Sequence, residues 1–499
     1  MNRIHQILLF AVALSFTKYV VGQTKPVCGT WVNLPYQDVR NKYMNPLYID
    51  HNTAKFWETK IQEQADLGIK YIVIMAVANE GKSYYPSSYM EAAYDVTNKS
   101  PVDAILETAS KNGMKVFMSS GWAVDQDDNL KDPKIRAMQI KIMEEIAGLY
   151  TYHAAFYGWY LPVEDSIEPI LSDHAVDAVN FLTQKARSLT PDKVIMISPY
   201  GICNAELDNP AFARQIKRLN VDIIAYQDEV GCVREPQPLP RMKENFKKLG
   251  EIHKGTNIQF WANVESFTWE EGDNSRESAL IPAAFPRYLA QMTAATEAGA
   301  AEIISFSTYG IYEKANSLFP IGQPTYSNLV TDQYNDWRSG HDKWKLLEST
   351  FRNAKLSTSK IRTVVSSGKQ YASLYNGVFA EENSKDDRWV RLGNNQVRLT
   401  ISLSGKQKVN SVALRFLNYK PDHIALPQFV HLSVINDKGV TTRIKTIQLD
   451  QFPNNRFDAW IDLALFNDLK LETDKVQVDI DAYEGQQICC DEVLINSKY

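Results

Sequence analysis

Histidine is scarce in this chain of 499 residues and badly placed for metal work. Eight are present, seven of them beyond residue 22, with no His-x-His and no His-Glu-x-x-His. The spacings that let imidazoles share a zinc ion are therefore missing, and neither a metal nor any other cofactor is expected. A Gly-x-Ser-x-Gly elbow and a glycine-rich phosphate loop are also absent, which removes the serine-hydrolase and nucleotide-binding readings. Positive charge is in short supply: Lys and Arg total 54 against 59 Asp and Glu, a formal charge of −5. Nucleic acid is thereby excluded as an expected partner, because binding phosphates needs a basic field. Past the first residues no apolar run is long enough to span a bilayer.

The start of the chain has the layout of a secretory leader. Arg3 precedes a mostly apolar run, Ile7 to Phe16, and Val20-Val-Gly22 forms a small-residue cleavage site. Removing residues 1–22 takes away Arg3 and Lys18 and no acid, so the charge moves to −7. The mature chain is expected in the periplasm or outside the cell. Cys28 follows Thr24-Lys-Pro-Val27, which lacks the Leu and small residues of a lipidation box, so lipid anchoring there is the lesser alternative. The five cysteines are Cys28, Cys203, Cys232, Cys489 and Cys490. Cys203 and Cys232 fall on loops after neighbouring strands, where they either pair or stay as buried thiols.

What the chain does have is a repeating unit: a short apolar run, a polar loop, then an amphipathic stretch. The runs are Cys28–Leu34, Lys70–Val77, Lys115–Ser120, Phe156–Glu164, Lys193–Tyr200, Asp222–Asp228, Gln259–Glu265 and Glu302–Tyr309. Helix signals lie between them. Ser100-Pro101-Val-Asp103 offers a cap, a proline and an acid, and glycines at 68, 113 and 299 stop helices just before strands. Eight such units predict an α/β fold, a (β/α)8 TIM barrel over residues 23–345. Beyond it the period changes to two, in Val397–Leu403, Val409–Phe416, Phe429–Ile435, Arg443–Leu449 and Val476–Ile480. Residues 346–499 are therefore expected to form an all-β, jelly-roll-like sandwich.

Two carboxylates stand out by position. Glu164 ends the fourth run and Glu265 the seventh, so both are expected over the barrel mouth. Alternation from Glu164 turns Tyr160 and Gly158 inward and Trp159, Leu161 and Val163 outward; from Glu265 it turns Asn263, Trp261 and Gln259 inward. Cleaving a glycosidic bond needs one carboxyl to protonate the leaving oxygen and another to attack or to activate water. Asn33, Trp122, Tyr160, Tyr200, Tyr226, Asp228, Asn263 and Tyr309 are candidate substrate contacts on the same rim, since rings and amides suit sugar faces and hydroxyls. Asp228 competes with Glu265 for the nucleophile role or tunes a neighbour. Asp165 and Glu229, each adjacent to a candidate, leave open which acid points inward. Asp125-Gln-Asp-Asp-Asn129 lacks the glycine and glutamate of a calcium loop and reads as a solvated loop. Polar Asn263, Gln259, Ser305 and Ser307, read as inward, argue against a purely structural protein.

Tyr157-Gly-Trp-Tyr-Leu-Pro-Val-Glu164, with Gly121-Trp122, resembles a bacterial family of exported (β/α)8 proteins of unknown function grouped with glycoside hydrolases. The resemblance covers about residues 25–330 and implies a glycan-degrading context. More broadly, acids on strands four and seven are similar to the large retaining clan of barrel glycosidases, which implies Glu164 as acid/base and Glu265 as nucleophile. That clan has Asn before the acid/base, where this chain has Val163. The tail resembles the galactose-binding-like jelly rolls appended to such enzymes, with Trp389, Tyr419 and Trp460 as platform candidates. The expected partner is an oligosaccharide or polysaccharide, cleaved by a glycosidase or, in the alternative, held by a non-catalytic binding protein.

Overall fold

The computed structural model describes residues 23–497 apart from 35–52, 95, 97, 125–129, 232–235, 271–279, 323, 357–359 and 453–457. The leader, the acidic run at 125–129 and any bridge to Cys232 lie outside the described residues.

Eight parallel strands close into a ring: β1 (Gly29–Val32), β2 (Tyr71–Ile74), β3 (Lys115–Ser119), β4 (Phe156–Tyr160), β5 (Val194–Ile197), β6 (Ile223–Gln227), β7 (Gln259–Glu265) and β8 (Ile303–Phe306). The seam pairs β1 with β8, Gly29 facing Ile304. Helices α1 (Ala54–Leu67), α2 (Pro101–Lys111), α3 (Pro133–Tyr150), α4 (Asp173–Leu189), α5 (Pro210–Arg218), α6 (Leu239–His253) and α7 (Phe285–Glu297) connect successive strands.

Local sequence sets their limits. At α2, Ser100 Oγ accepts from the Asp103 amide at 3.1 Å and Asp103 Oδ2 accepts from the Ser100 amide at 3.0 Å, a reciprocal cap of the expected kind. A cap of this sort contributes about 1 kcal/mol. The α1 helix stops at Gly68, whose φ of 94° lets its amide return to Ala65 O at 3.0 Å.

Two cores follow from the strand alternation. Inside the ring lie Trp31, Tyr71, Phe117, Tyr160, Met196, Ala225, Trp261 and Ile304; Trp159, Leu161, Tyr226, Phe260 and Val264 belong to the layer between strands and helices. A register shift between β3 and β4 lets Tyr157 also pack against the inner group. Gly158 is required where β4 meets β5, since a Cβ there would lie 2.3 Å from the Val194 carbonyl oxygen.

Helices α8 (Pro324–Arg338) and α9 (Asp342–Phe351) lead into two antiparallel sheets. Their strands are β9 (Ile361–Ser366), β10 (Lys369–Gln370), β11 (Val390–Gly393), β12 (Val397–Val409), β13 (Val412–Asn418), β14 (Phe429–Ile435), β15 (Thr441–Gln448), β16 (Trp460–Phe466), β17 (Leu471–Asp481) and β18 (Ile488–Ile495). One sheet runs β10-β9-β12-β17-β14-β15 and the other β11-β18-β13-β16, giving the sandwich. Trp389 and Trp460 are buried in it, so of the three platform candidates only Tyr419 keeps a partly exposed ring. Cys489 and Cys490 are both buried on β18. Among the described residues no helix is long and apolar enough to cross a membrane.

Candidate active site

The two glutamates sit differently. Beyond the end of β4 the chain continues through Pro162 to Glu164, which is half-buried. Tyr160, fully buried inside the ring, donates its hydroxyl to Glu164 Oε1 at 2.9 Å, so that carboxylate hangs over the barrel interior. Burial first, and then the charge of Glu164, push the Tyr160 phenol well above its ordinary range. Trp31 meets the Tyr160 ring edge-on at 4.6 Å and donates its indole N–H to Asn263 Oδ1 at 3.1 Å. Asn263 in turn donates to Ser198 Oγ at 3.2 Å. A hydrogen-bonded floor thus joins β1, β5 and β7 beneath the mouth.

Glu265, the last residue of β7, is 5% exposed. Its Oε2 is buried without a hydrogen-bond partner among the described residues. Burial, with the charges of Asp228 and then Glu229, holds its carboxyl well above the usual carboxylate range, against the opposing charge of Arg287. Gly231 allows this packing: a Cβ there would stand 3.3 Å from Glu265 Oε2 and 2.3 Å from the Phe267 carbonyl oxygen.

Asp228 is equally buried but well supplied with donors. Gln291 Nε2 reaches its Oδ2 at 2.6 Å, and the amides of Glu265 and Val230 reach Oδ1 at 3.1 and 3.3 Å. Burial still raises its carboxyl to about 6. Glu229, at φ 53°, accepts from the amides of Gly201 and Cys203 at 2.6 and 2.9 Å. Of these three acids Glu265 is the one with a buried oxygen lacking a donor among the described residues, and burial with the neighbouring charges works against its charged form.

The backbone of Glu265 is clamped from α7. Arg287 Nη2 donates to the carbonyls of Glu265 and Phe267 at 3.1 and 2.6 Å, and Gln291 Nε2 also reaches the Glu265 carbonyl at 3.0 Å. Neither residue carried a sequence signal, because polar side chains such as Arg287 in the first turn and Gln291 in the middle of a helix ordinarily face water.

The remaining candidates divide. Trp122, 6% exposed, packs with the inner group and donates to the Pro162 carbonyl at 3.1 Å, tying the loop after β3 to the segment that carries Glu164. Tyr200 is half-buried and forms a parallel bridge with Ser166. Asn33 and Tyr309 meet Trp31, Phe267 and Phe306 around a small cavity, and Tyr309 also stacks on Trp57 at 5.3 Å. Tyr226 instead faces the helices, with its hydroxyl 2.9 Å from His253 Nε2. His253 Nδ1 lies 2.9 Å from the Ile258 carbonyl, which can only accept, so Nε2 is the acceptor and Tyr226 donates. The outward turn of Tyr226 places it away from the mouth. On β8 the inward residues are Ile304 and Phe306, and Ser305 bonds the Val264 carbonyl at 2.8 Å, so the inward reading of Ser305 is corrected. Trp31 was missed, although alternation back from Asn33 points it inward.

Residues 27–318 match the model of a family described as Domain of unknown function (DUF4434). No curated protein matches the chain. Among solved structures, a "putative alpha-L-fucosidase" from Bacteroides thetaiotaomicron is 19% identical, with a TM-score of 0.50 over 67% of this chain and 99% of that one. A glycoside hydrolase family 5 protein from Bacteroides vulgatus is 11% identical, TM-score 0.37, covering 86% of each chain. A beta-galactosidase from Marinomonas ef1 is 11% identical, TM-score 0.41, over 65% of this chain and 62% of that one. At 19% identity the likeness to the first of these concerns the fold alone.

Proposed function

We propose that this chain, which belongs to the DUF4434 family, is an exported glycoside hydrolase whose Glu164 and Glu265 act as a pair on an oligosaccharide or polysaccharide. The observation that carries the reading is the contrast between the two side chains: one carboxyl is buried beside other acids with an oxygen that has no partner among the described residues, the other is half-buried and accepts a tyrosine hydroxyl. Glycosidases work by setting two carboxyls in environments that hold one protonated and one charged.

That contrast favours Glu265 as the acid that protonates the leaving oxygen. Glu164, with an O–H donor and access to water, suits the charged partner that attacks the anomeric carbon, so the bond is cleaved with retention. The order is the reverse of the one implied by the clan resemblance. Water then releases the sugar, with Glu265 as the base. In this reading residues 23–345 form the catalytic unit and 346–499 an accessory one.

The test is hydrolysis of a panel of aryl glycosides and glycans by wild type, Glu265→Gln and Glu164→Gln. Loss of an acid is forgiven by a dinitrophenyl leaving group, which departs without a proton; loss of a nucleophile is not. Glu265→Gln is expected to give a burst of about one dinitrophenolate per enzyme followed by slow turnover, since the first step needs no acid but the second still lacks its base, and Glu164→Gln to lose both burst and turnover. Full activity of both variants overturns the pair, and binding without cleavage by wild type favours a carbohydrate-binding protein.

A further inference from the structure

Between the barrel and the sandwich runs a trough of about 1320 Å3. One wall is α6, on which Lys243, Glu244, Lys247, Glu251 and the capping Lys254 recur every three or four residues and so share one face of the helix. At 15 residues that helix is roughly 22 Å long. The end of α7 adds Glu297 and Ala298, and the facing wall comes from the sandwich, through residues 381–385, Tyr419 and Asp458. Lys247, Glu251, Lys254, Asn383 and Lys385 are exposed, so the trough lies open to water. Neither Glu164 nor Glu265 is on its walls.

Size, charge and lining narrow what it can hold. Pockets for one small organic ligand occupy roughly 300–1,000 Å3, so this volume suits an oligomer. Among the described residues six basic and six acidic side chains line it, which leaves no net field to draw a polyanion. A peptide would dock on an open strand edge or an apolar groove, and neither forms these walls. A hydroxyl both donates and accepts, so a wall where ammonium and carboxylate groups alternate is matched along its length by a chain of hydroxyls. Tyr419, whose ring is partly exposed, offers a flat face for a sugar to stack on.

An incomplete polar group also lies on the trough. Glu382 is 2% exposed; its Oε2 accepts from Lys243 Nζ at 2.8 Å, and its Oε1 is buried with no hydrogen-bond partner among the described residues. A carboxylate oxygen so placed is costly until a donor reaches it. The ammonium beside it has further N–H groups to give, so one hydroxyl can serve both.

We propose that this trough is a second binding site, apart from the barrel mouth, that takes a neutral glycan chain laid along α6. The site goes beyond the hydrolase reading and does not depend on it, since the chain is held on the outside of the barrel whether or not the mouth cleaves it.

The test is affinity electrophoresis of the full-length mature protein through gels containing soluble galactomannan, xylan, mannan or glucan, with polygalacturonate and heparin as charged controls. Glu164→Gln is run beside wild type, so that cleavage does not erase the polymer. Retardation of both by at least one neutral polymer, little changed by added salt, is expected. Tyr419→Ala is expected to weaken it by about three- to tenfold in apparent Kd, and Tyr419→Phe, which keeps the ring, to retain it. A Lys247→Ala/Glu251→Ala variant, altered only at exposed positions, should weaken it as well. Oligosaccharides of that polymer should compete better than its monosaccharide. These trough variants should match wild type toward aryl glycosides, which need only the mouth, and melting curves confirm that each is folded.

Free migration of wild type through every neutral polymer overturns the inference and leaves the hydrolase reading standing. Retardation that the Tyr419→Ala and Lys247→Ala/Glu251→Ala variants keep in full does the same. Retardation by the anionic polymers alone, lost with salt, overturns it in favour of a polyanion. Neutral-polymer retardation that both trough variants weaken, with no turnover of any glycoside, supports the trough and tells against the hydrolase.

Discussion

Arg287 Nη1 lies 2.7 Å from Asp458 Oδ1, with the two side chains 1% and 3% exposed. One belongs to the α7 helix behind β7, the other to the segment that enters β16 of the sandwich. Because the same guanidinium holds the carbonyls of Glu265 and Phe267, the sandwich fixes the orientation of the group that fixes the end of β7.

Breaking a buried pair by removing one partner costs about 3–5 kcal/mol, since the other charge is left without compensation. Asp458→Ala is therefore expected to lower unfolding stability by that amount in denaturant titration and to reduce turnover. An Arg287→Met/Asp458→Ala double variant should recover part of the stability without the turnover, because the carbonyl clamp is then gone.

The pH profile offers a second check. A group that must donate a proton stops working as pH rises through its pKa, and the Asp228 charge helps to keep that of Glu265 high. Asp228→Asn removes this charge while retaining an acceptor for the Glu265 amide. Its alkaline limb of kcat/KM is expected to move to lower pH, by about one unit. An unmoved limb would count against Glu265 as the acid.

Tyr226→Phe should behave as a structural change only. It deletes a buried hydroxyl that serves His253, so a loss of about 1 kcal/mol in thermal or chemical unfolding is expected with kcat and KM unaltered.

The sandwich carries its own pH dependence. Glu492 is 3% exposed, accepts from the Gly377 amide at 3.2 Å through both oxygens, and is raised by burial to about 8. A carboxyl raised in the folded state gives stability that is complete below its unfolded pKa and is lost as pH rises through the folded value. Unfolding free energy should therefore fall between about pH 4.5 and 8, on the order of a few kcal/mol from this residue alone. Glu492→Gln, which still accepts from Gly377, should flatten that slope; an unchanged slope would place its origin elsewhere.

Much of the architecture was readable before any coordinates, for reasons that particular residues make plain. Glycines such as Gly68 and Gly299 mark where helices end, and the Ser100–Asp103 cap marks where one begins, so the eight units could be counted. Parity on β4 and β7 was readable too, since Trp159, Leu161, Phe260 and Val264 alternate with Gly158, Tyr160, Trp261 and Asn263. It failed on β6 and β8, where Ile223-Ile224 and Ile303-Ile304 put apolar residues on both faces and alternation loses its contrast. The clamp by Arg287 had no signature, because its partner lies in another sheet system far along the chain. The raised carboxyl of Glu265 was equally hidden: it comes from burial first and then from Asp228 and Glu229 being folded against it, and adjacency in sequence does not foretell which acid receives the donors.

The seam between Gly29 and Ile304 has a consequence for biogenesis. On the proposed exported reading, a chain threaded out of a membrane pore with its amino end leading presents the first strand long before its neighbour on that side has been delivered. Until the eighth strand arrives, a row of backbone donors and acceptors stands open and invites pairing with other nascent copies. Assembly of this protein should thus depend on a holding factor that shields the unfinished ring, and fragments ending before residue 303 should precipitate where the whole chain stays in solution.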